Sequence, residues 1–174
     1  MAKLAPVIGP RAARWALRLA PVALLLLGFA LRARALRSGN LGFDGGLAVA
    51  LAASPLGELV ELSARDVHPP LYYVLLAGWW RTAGPGIAAA LLPTLAFGAL
   101  AMAAAWRLGR DAAGIPAGLA LLLLLALAPL HVYDGMAARD FAAFVPLTLL
   151  ATLALLRDRP RALVGLYAAG LLTS

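Results

Sequence analysis

The chain has 174 residues, of which 63% are hydrophobic and only 13% are charged, so it lacks the polar cover that a soluble domain of this size needs. Composition therefore predicts an all-α integral membrane protein. The formal net charge is +7, but the basic residues fall in small groups at the ends of apolar segments. That pattern is typical of membrane orientation signals and argues against nucleic acid as a partner.

The first predicted span runs from about Trp15 to Leu31 and follows a group of basic residues. Its apolar part is short, because a helix needs ~20 residues to cross the hydrocarbon core. The same segment also fits a signal peptide, with Leu19–Leu31 as the apolar region and Ala33-Arg34-Ala35 as the cleavage site. Arginines beside that site disfavour cleavage, so we favour the membrane span.

A long segment of about residues 32–85 follows, and we predict that it forms the first outer loop. Pro55 separates two expected membrane-surface helices, Gly46–Ala53 and Leu56–Ala64. The stretch Leu71–Trp80 is about half a span long and rich in Tyr and Trp, which favour the headgroup level. We therefore predict an interfacial or half-inserted helix there.

Three further spans are predicted at Gly86–Trp106, Ala112–Tyr133 and Phe141–Leu156, and a fifth apolar stretch opens at Ala162. Short inner turns are expected at residues 107–111 and 157–161, and a second outer loop at about residues 133–140. No repeat or low-complexity linker divides the chain, so residues 1–174 are expected to form one domain with four to five transmembrane helices.

The distribution of basic residues predicts the orientation. If Leu71–Trp80 does not cross, the inner side carries nine basic residues and the outer side six, and if it crosses these numbers are exchanged. The inner nine are Lys3, Arg11, Arg14, Arg18, Arg107, Arg110, Arg157, Arg159 and Arg161. The positive-inside rule favours the first arrangement, which predicts a multi-pass protein of the plasma (cytoplasmic) membrane, the inner membrane of the cell, with its amino terminus inside.

Six of the eight acids then lie on the outer side, in two short polar stretches. The six are Asp44, Glu58, Glu61, Asp66, Asp134 and Asp140. Carboxylates in an apolar chain are energetically expensive, so these stretches are the candidate functional regions. Plainer interpretations stay open, because Asp44-Gly45 also fits a turn and Asp140 also fits a helix cap.

The order of these features resembles the integral-membrane GT-C glycosyltransferases. The resemblance is carried by an Asp soon after the first span, by His68-Pro69-Pro70-Leu71-Tyr72-Tyr73 with Trp79-Trp80, and by Ala128-Pro129-Leu130-His131-Val132-Tyr133 followed by Ala138-Arg139. It covers roughly Leu19 to Ser174 and is closest to the amino-terminal part of the protein O-mannosyltransferase and aminoarabinose transferase group.

This resemblance implies transfer of a sugar from a polyprenyl-phosphate carrier to an acceptor at the outer face of the membrane. It implies that Asp44 is the catalytic base, that Asp140 is the second acid and that Arg139 binds the donor. His68 and Tyr72, from the proline-histidine motif, are further substrate-binding candidates, although a helix start for the first and an interface anchor for the second are the simpler interpretations.

Elementary chemistry points the same way with less detail. Glycosyl transfer from a lipid phosphate needs a carboxylate that accepts a proton and a cation that stabilises the departing phosphate. An arginine suits the second role because its planar fork binds phosphate oxygens. Two histidines and no cysteine argue against a strong transition-metal site, whereas an oxygen-ligated Mg²⁺ or Mn²⁺ between Asp44 and Asp140 is chemically permissible.

Three departures from the family keep a second hypothesis open. Gly45 stands where many members have a second acid, Ala137 stands where many have an acid before the loop arginine, and the chain ends inside an apolar segment where members continue. The alternative is a non-catalytic membrane subunit, derived from the GT-C fold, that packs small-residue helices against partner membrane subunits. A transporter fragment has less support, since the spans lack intramembrane charges.

Overall fold

The computed structural model describes residues 10–39, 41–65 and 69–173, and the regular structure of these ranges is entirely helical. Its helices are α1 (Pro10–Ala33), α2 (Ala35–Ser38), α3 (Gly42–Ala53), α4 (Leu56–Arg65), α5 (Leu71–Ala83), α6 (Ile87–Leu127), α7 (Pro129–Asp134), α8 (Phe141–Leu156) and α9 (Pro160–Leu171). The prediction of an all-α chain is confirmed for these residues. Lys3, Asp66 and His68 lie outside the described residues.

Two helical stretches of the described chain are long and apolar enough to cross a membrane. The first is Leu17–Arg37, which comprises most of α1 and of α2, and the second is Ile87–Leu127, which is α6. The helix α8 is apolar but has only 16 residues, which gives about 24 Å against the ~30 Å of a hydrocarbon core. The finer expectation of four to five spans stays a prediction.

The long helix α6 folds back on itself. In a straight helix Met102 and Ala126 would lie about 36 Å apart at 1.5 Å per residue. Instead Met102, Leu122 and Ala126 form one buried cluster, against which Leu24 and Leu25 of α1 pack. The helix is therefore a hairpin, with a first arm at 87–112 and a second arm at 115–127.

The hairpin turns at Ala113 and Gly114, where the backbone leaves helical geometry. Gly114 has φ +85°, a conformation that glycine adopts without steric cost. The predicted inner turn at residues 107–111 was therefore placed a few residues too early. Arg107 and Asp111 pair one helical turn apart and so support helix at the position where their charges suggested a turn.

The second arm also ends earlier than the predicted span Ala112–Tyr133. Ala128 has extended ψ, as expected for a residue that precedes proline, and Pro129 then starts α7 at a position where its missing N–H costs nothing. The short helix α7 leads into residues 135–140, which are not helical, so the second polar loop lies where the sequence predicted it.

The segment that the sequence predicts as the first outer loop forms a small helical layer of α3, α4 and α5, close to the predicted bounds. Its core contains Leu51, Leu59, Tyr72 and Leu76, and Ala143 of α8 packs into the same cluster. Trp79 donates a hydrogen bond of 2.8 Å to the carbonyl of Ala89, which ties α5 to the start of α6. This layer therefore rests on the end of the bundle at which α8 begins.

The two ends of the bundle differ in charge. At one end Asp111, beside the α6 turn, pairs with Arg107 and with Arg157, where α8 ends. We call this end the basic pole. The other end, at which α8 begins at Phe141, carries Asp44, Arg139 and Asp140, and we call it the acidic pole.

Candidate functional site

A cavity of about 230 Å³ opens at the acidic pole, between the start of α3, α5 and the loop that precedes α8. Its lining residues are Phe43, Asp44, Leu47, Ala48, Tyr73, Ala138, Arg139 and Asp140. Three of the five predicted site residues, Asp44, Arg139 and Asp140, therefore share one cavity. Two segments that are far apart in the sequence supply them.

Asp44 lies in the first turn of α3, because this helix begins at Gly42 and not at Gly46 as predicted. Because Asp44 and Gly45 are helical, the interpretation of this dipeptide as a loop turn is wrong. An acid in the first turn of a helix is also favoured by the helix dipole. Its side chain is half exposed, and its Oδ2 lies 3.2 Å from a terminal guanidinium nitrogen of Arg139. The carboxylate is thus at the mouth of the cavity and reachable from solvent.

Gly45 stands at the position where the family resemblance leads one to expect a second acid. This glycine is buried, and a β-carbon there would lie 3.1 Å from Cβ of Leu41 and 3.5 Å from the backbone nitrogen of Ala138. The close approach brings the start of α3 against the loop that carries Arg139. A β-carbon at this position would crowd Leu41 at the start of the same segment, and it would lie in ordinary van der Waals contact with Ala138 of the other segment.

Arg139 is mostly buried, with 23% of its side chain exposed. Its guanidinium carbon lies 5.5 Å from the centre of the Phe141 ring, within the range of a cation–π contact. Its backbone N–H donates to the carbonyl of Ala137 at 2.9 Å, and its own carbonyl accepts from Ala142 at 3.2 Å. Local contacts therefore hold this cation in the cavity wall.

Asp140 occupies the N-cap position of α8, but its side chain makes no capping hydrogen bond. The helix-cap interpretation therefore accounts for the location of Asp140 directly before α8, but the side chain does not act as a cap. The residue is buried, with 3% exposed. Its charge is close enough to Tyr72 to add to the effect of burial, which raises the pKa of that phenol well above its ordinary value.

Asp134 stands near the same group of charges. Burial raises the pKa of its carboxyl, the Arg139 charge opposes that rise, and the Asp140 charge adds to it. A small neighbouring cavity is lined by Asp134, His131 and Phe141. Asp134 therefore interacts electrostatically with Arg139 and Asp140, although it lines the neighbouring cavity.

Tyr72, a further predicted site residue, does not line the cavity. Tyr72 is buried in the core of the α3–α5 layer, with its hydroxyl 3.3 Å from that of Thr94. Its neighbour Tyr73 lines the cavity instead. His68 lies outside the described residues. Phe43, almost fully exposed at the mouth, is a lining residue that the sequence indicated only by its position beside Asp44.

Arg32 is a residue at this pole that the sequence analysis missed, because basic residues at the ends of apolar segments were interpreted only as orientation signals. It is fully buried and donates to the carbonyls of Gly28, Leu125 and Ala126 and to Nδ1 of His131. The second and third of these carbonyls belong to the last turn of the second arm of α6, which a cation stabilises. Burial, followed by the Arg32 charge, lowers the pKa of His131 to about 4.

Among the described residues, no three His, Cys, Asp or Glu side chains group together as metal ligands. The cavity offers Asp44 and Asp140, and Arg139 pairs with the first of them. Arg139 thus supplies a cation at this site, and a Mg²⁺ or Mn²⁺ ion between Asp44 and Asp140 stays a prediction.

Comparisons with protein families, with curated proteins and with solved structures found no match to this chain.

Proposed function

We propose that this chain is a membrane-embedded glycosyltransferase, or the amino-terminal part of one, with the GT-C fold that its motifs resemble. It would transfer a sugar from a polyprenyl-phosphate-linked donor to an acceptor at the outer face of the plasma membrane. The observation that carries the proposal is the cavity that unites Asp44, Arg139 and Asp140 at one pole.

The charges of the molecule support the orientation in this proposal. The helix α1 ends with Arg32 against His131 at the acidic pole, so its start lies toward the basic pole. Arg107 and Arg157 lie at the basic pole, and the positive-inside rule assigns such an end to the cytoplasm. The cavity then faces outward, where a lipid-linked donor and an external acceptor meet.

In the proposed reaction Asp44 accepts the proton of the acceptor hydroxyl or amine as that atom attacks the anomeric carbon of the donor. The new bond to the anomeric carbon forms while the bond from that carbon to the phosphate oxygen breaks. The electron pair leaves with the polyprenyl phosphate, whose charge Arg139 stabilises. Asp140 is the second acid and lies deeper in the same cavity.

Replacing Asp44 by Asn tests this function. We expect loss of the base to slow the release of polyprenyl phosphate at least about a hundredfold, the lower end of the contribution of a general base. The assay supplies a panel of polyprenyl-phosphate hexoses and aminopentoses to membranes that contain the chain, and measures the freed carrier by mass spectrometry. Glu58→Gln, an exposed acid in the first turn of α4, is the matched control and should keep wild-type release.

A non-catalytic membrane subunit is the second candidate, and the exposed apolar faces of α1 and α9 favour it. Trp15, Leu26, Val164 and Tyr167 are large and exposed. Lipid or partner helices would cover these faces. Under this hypothesis Asp44→Asn releases the carrier at the wild-type rate, and both rates equal that of membranes without the chain.

A further inference from the structure

The ion pair between Asp44 and Arg139 joins the two groups to which the proposed function gives opposite tasks. One is the base that must accept a proton, and the other is the cation that must hold a phosphate. The carboxylate of Asp44 and the guanidinium of Arg139 lie 3.2 Å apart and form an ion pair with each other. A ligand that binds either group therefore has to change the state of the other.

The pair is built so that it can open on the Asp44 side. Asp44 is 54% exposed, and partly exposed ion pairs contribute little net stability. Its position at the start of α3 leaves the carboxylate free to turn toward solvent. Opening the pair therefore requires no movement of a buried side chain.

Arg139 keeps its place when the pair opens. The Phe141 ring and the backbone bonds to Ala137 and Ala142 hold it independently of Asp44. A guanidinium has five N–H donors, and phosphate can bind two of them side by side. The cavity is large enough for such a group, since one water accounts for only ~30 Å³ of the liquid.

We propose that Arg139 exchanges Asp44 for the phosphate of an anionic ligand, so that binding of the phosphate releases the carboxylate. This inference rests on the proposed function, in which that carboxylate is the base. It predicts a preferred order of events, because binding of the donor phosphate makes Asp44 more available to the acceptor. Until then the resting cavity keeps its base engaged.

The test is a double-mutant cycle on binding of farnesyl phosphate to the 174-residue chain in detergent micelles. Asp44→Asn removes the competing carboxylate, and we expect about two- to fivefold tighter binding, the range for a partly exposed ion pair. Arg139→Gln should weaken binding at least about tenfold, as for loss of a charge-assisted hydrogen bond. In the double variant the gain from Asp44→Asn should vanish, because it acts through Arg139.

Glu58→Gln makes the same change in net charge away from the cavity and should leave affinity unchanged. Inorganic phosphate and farnesol, as separate probes, distinguish a free phosphate from a lipid phosphate as the ligand. Equal or weaker binding by Asp44→Asn, with binding lost in Arg139→Gln, would overturn the exchange and leave the donor role of Arg139 standing. If Arg139→Gln binds farnesyl phosphate with the affinity of the wild type, both the exchange and the donor role of Arg139 are overturned.

Discussion

Arg32 connects three segments that meet at the acidic pole. It reaches from the last turn of α1 to the end of the second arm of α6 and to His131 on α7. The space for its side chain exists because two neighbouring positions, Gly98 and Gly135, lack a β-carbon. A charged group in an apolar helix is expensive unless it is hydrogen-bonded, and the two terminal nitrogens of Arg32 have four acceptors, whereas its buried Nε has none.

Replacing Arg32 by Leu should destabilise the fold by about 3 kcal/mol, because the carbonyls of the second arm lose their donor inside the bundle. Thermal unfolding in detergent micelles measures the loss. Arg34→Leu is the matched control, since Arg34 is exposed two positions away and should change stability by less than about 0.5 kcal/mol. Equal losses from both variants would show that the buried contacts contribute nothing.

His131 should make stability depend on pH. Its pKa is lowered to about 4 in the folded chain, and the ordinary value of ~6.5 applies when unfolded. Between these values the unfolded chain binds a proton that the folded chain does not. The free energy of unfolding should therefore fall as the pH is lowered from about 6.5 to about 4.

The check compares the unfolding midpoints of the wild type and of His131→Gln across this pH range. The acidic side chains titrate in both proteins. The difference between the two unfolding midpoints therefore reports the titration of His131 alone. The advantage of the wild type should shrink toward low pH. A difference that stays constant from pH 7 to pH 4.5 would contradict the assigned burial of the neutral ring.

At the scale of the elements, the α6 hairpin depends on two glycines where its arms touch. A β-carbon at Gly109 would lie 2.6 Å from the carbonyl oxygen of Ala117 and 2.8 Å from Cα of Gly118. At Gly118 it would meet the ring of Trp106 at 2.6 Å. Close backbone approach of this kind is how helices associate where surrounding lipid is as apolar as the side chains.

Gly109→Ala should therefore lower the thermal midpoint in micelles, since the obstacle is backbone and cannot move aside. Gly165→Ala, inside α9 with open space around its Cα, should leave the midpoint unchanged or raise it. Alanine is favoured over glycine in a helix interior by ~1 kcal/mol. If both variants change the midpoint in the same direction, the arms do not pack as described.

The sequence predicted the elements better than their connections. Apolar length and proline positions were sufficient for α4, α5 and α8, whose bounds agree within a few residues. The hairpin turn was misplaced because charge was given more weight than the positive φ that Gly114 allows. The hydrogen bonds of Arg32 could not be predicted from local sequence patterns, since its main partners lie 93 to 99 positions away in the chain. Asp44 and Arg139 were grouped through a family resemblance, and no periodicity indicated their contact.

Considered as a whole, the molecule is an apolar bundle between two polar ends. The basic pole joins the α6 turn to the end of α8 through Asp111, and the acidic pole contains the cavity. The helix α8 separates them by about 24 Å. This separation makes the proposed orientation accessible to chemical labelling.

The chain contains no cysteine, so single cysteines can be introduced without a background. We expect Gly46→Cys, exposed near the acidic pole, to react with a membrane-impermeant maleimide in intact spheroplasts. Arg159→Cys, exposed after α8 near the basic pole, should react only after the membrane is opened. The reverse pattern would invert the topology and place the cavity in the cytoplasm.

The glycines around Arg32 restrict how this chain can evolve. A β-carbon at Gly98 would lie 3.1 Å from Cδ of Arg32, and one at Gly135 would lie 2.7 Å from it. A path that first enlarges either glycine meets the arginine, and a path that first shortens the arginine opens a void beside bare carbonyls. The three positions are therefore expected to vary as a set, with strong epistasis among them, and an apolar residue at 32 should be found together with larger residues at 98 and 135.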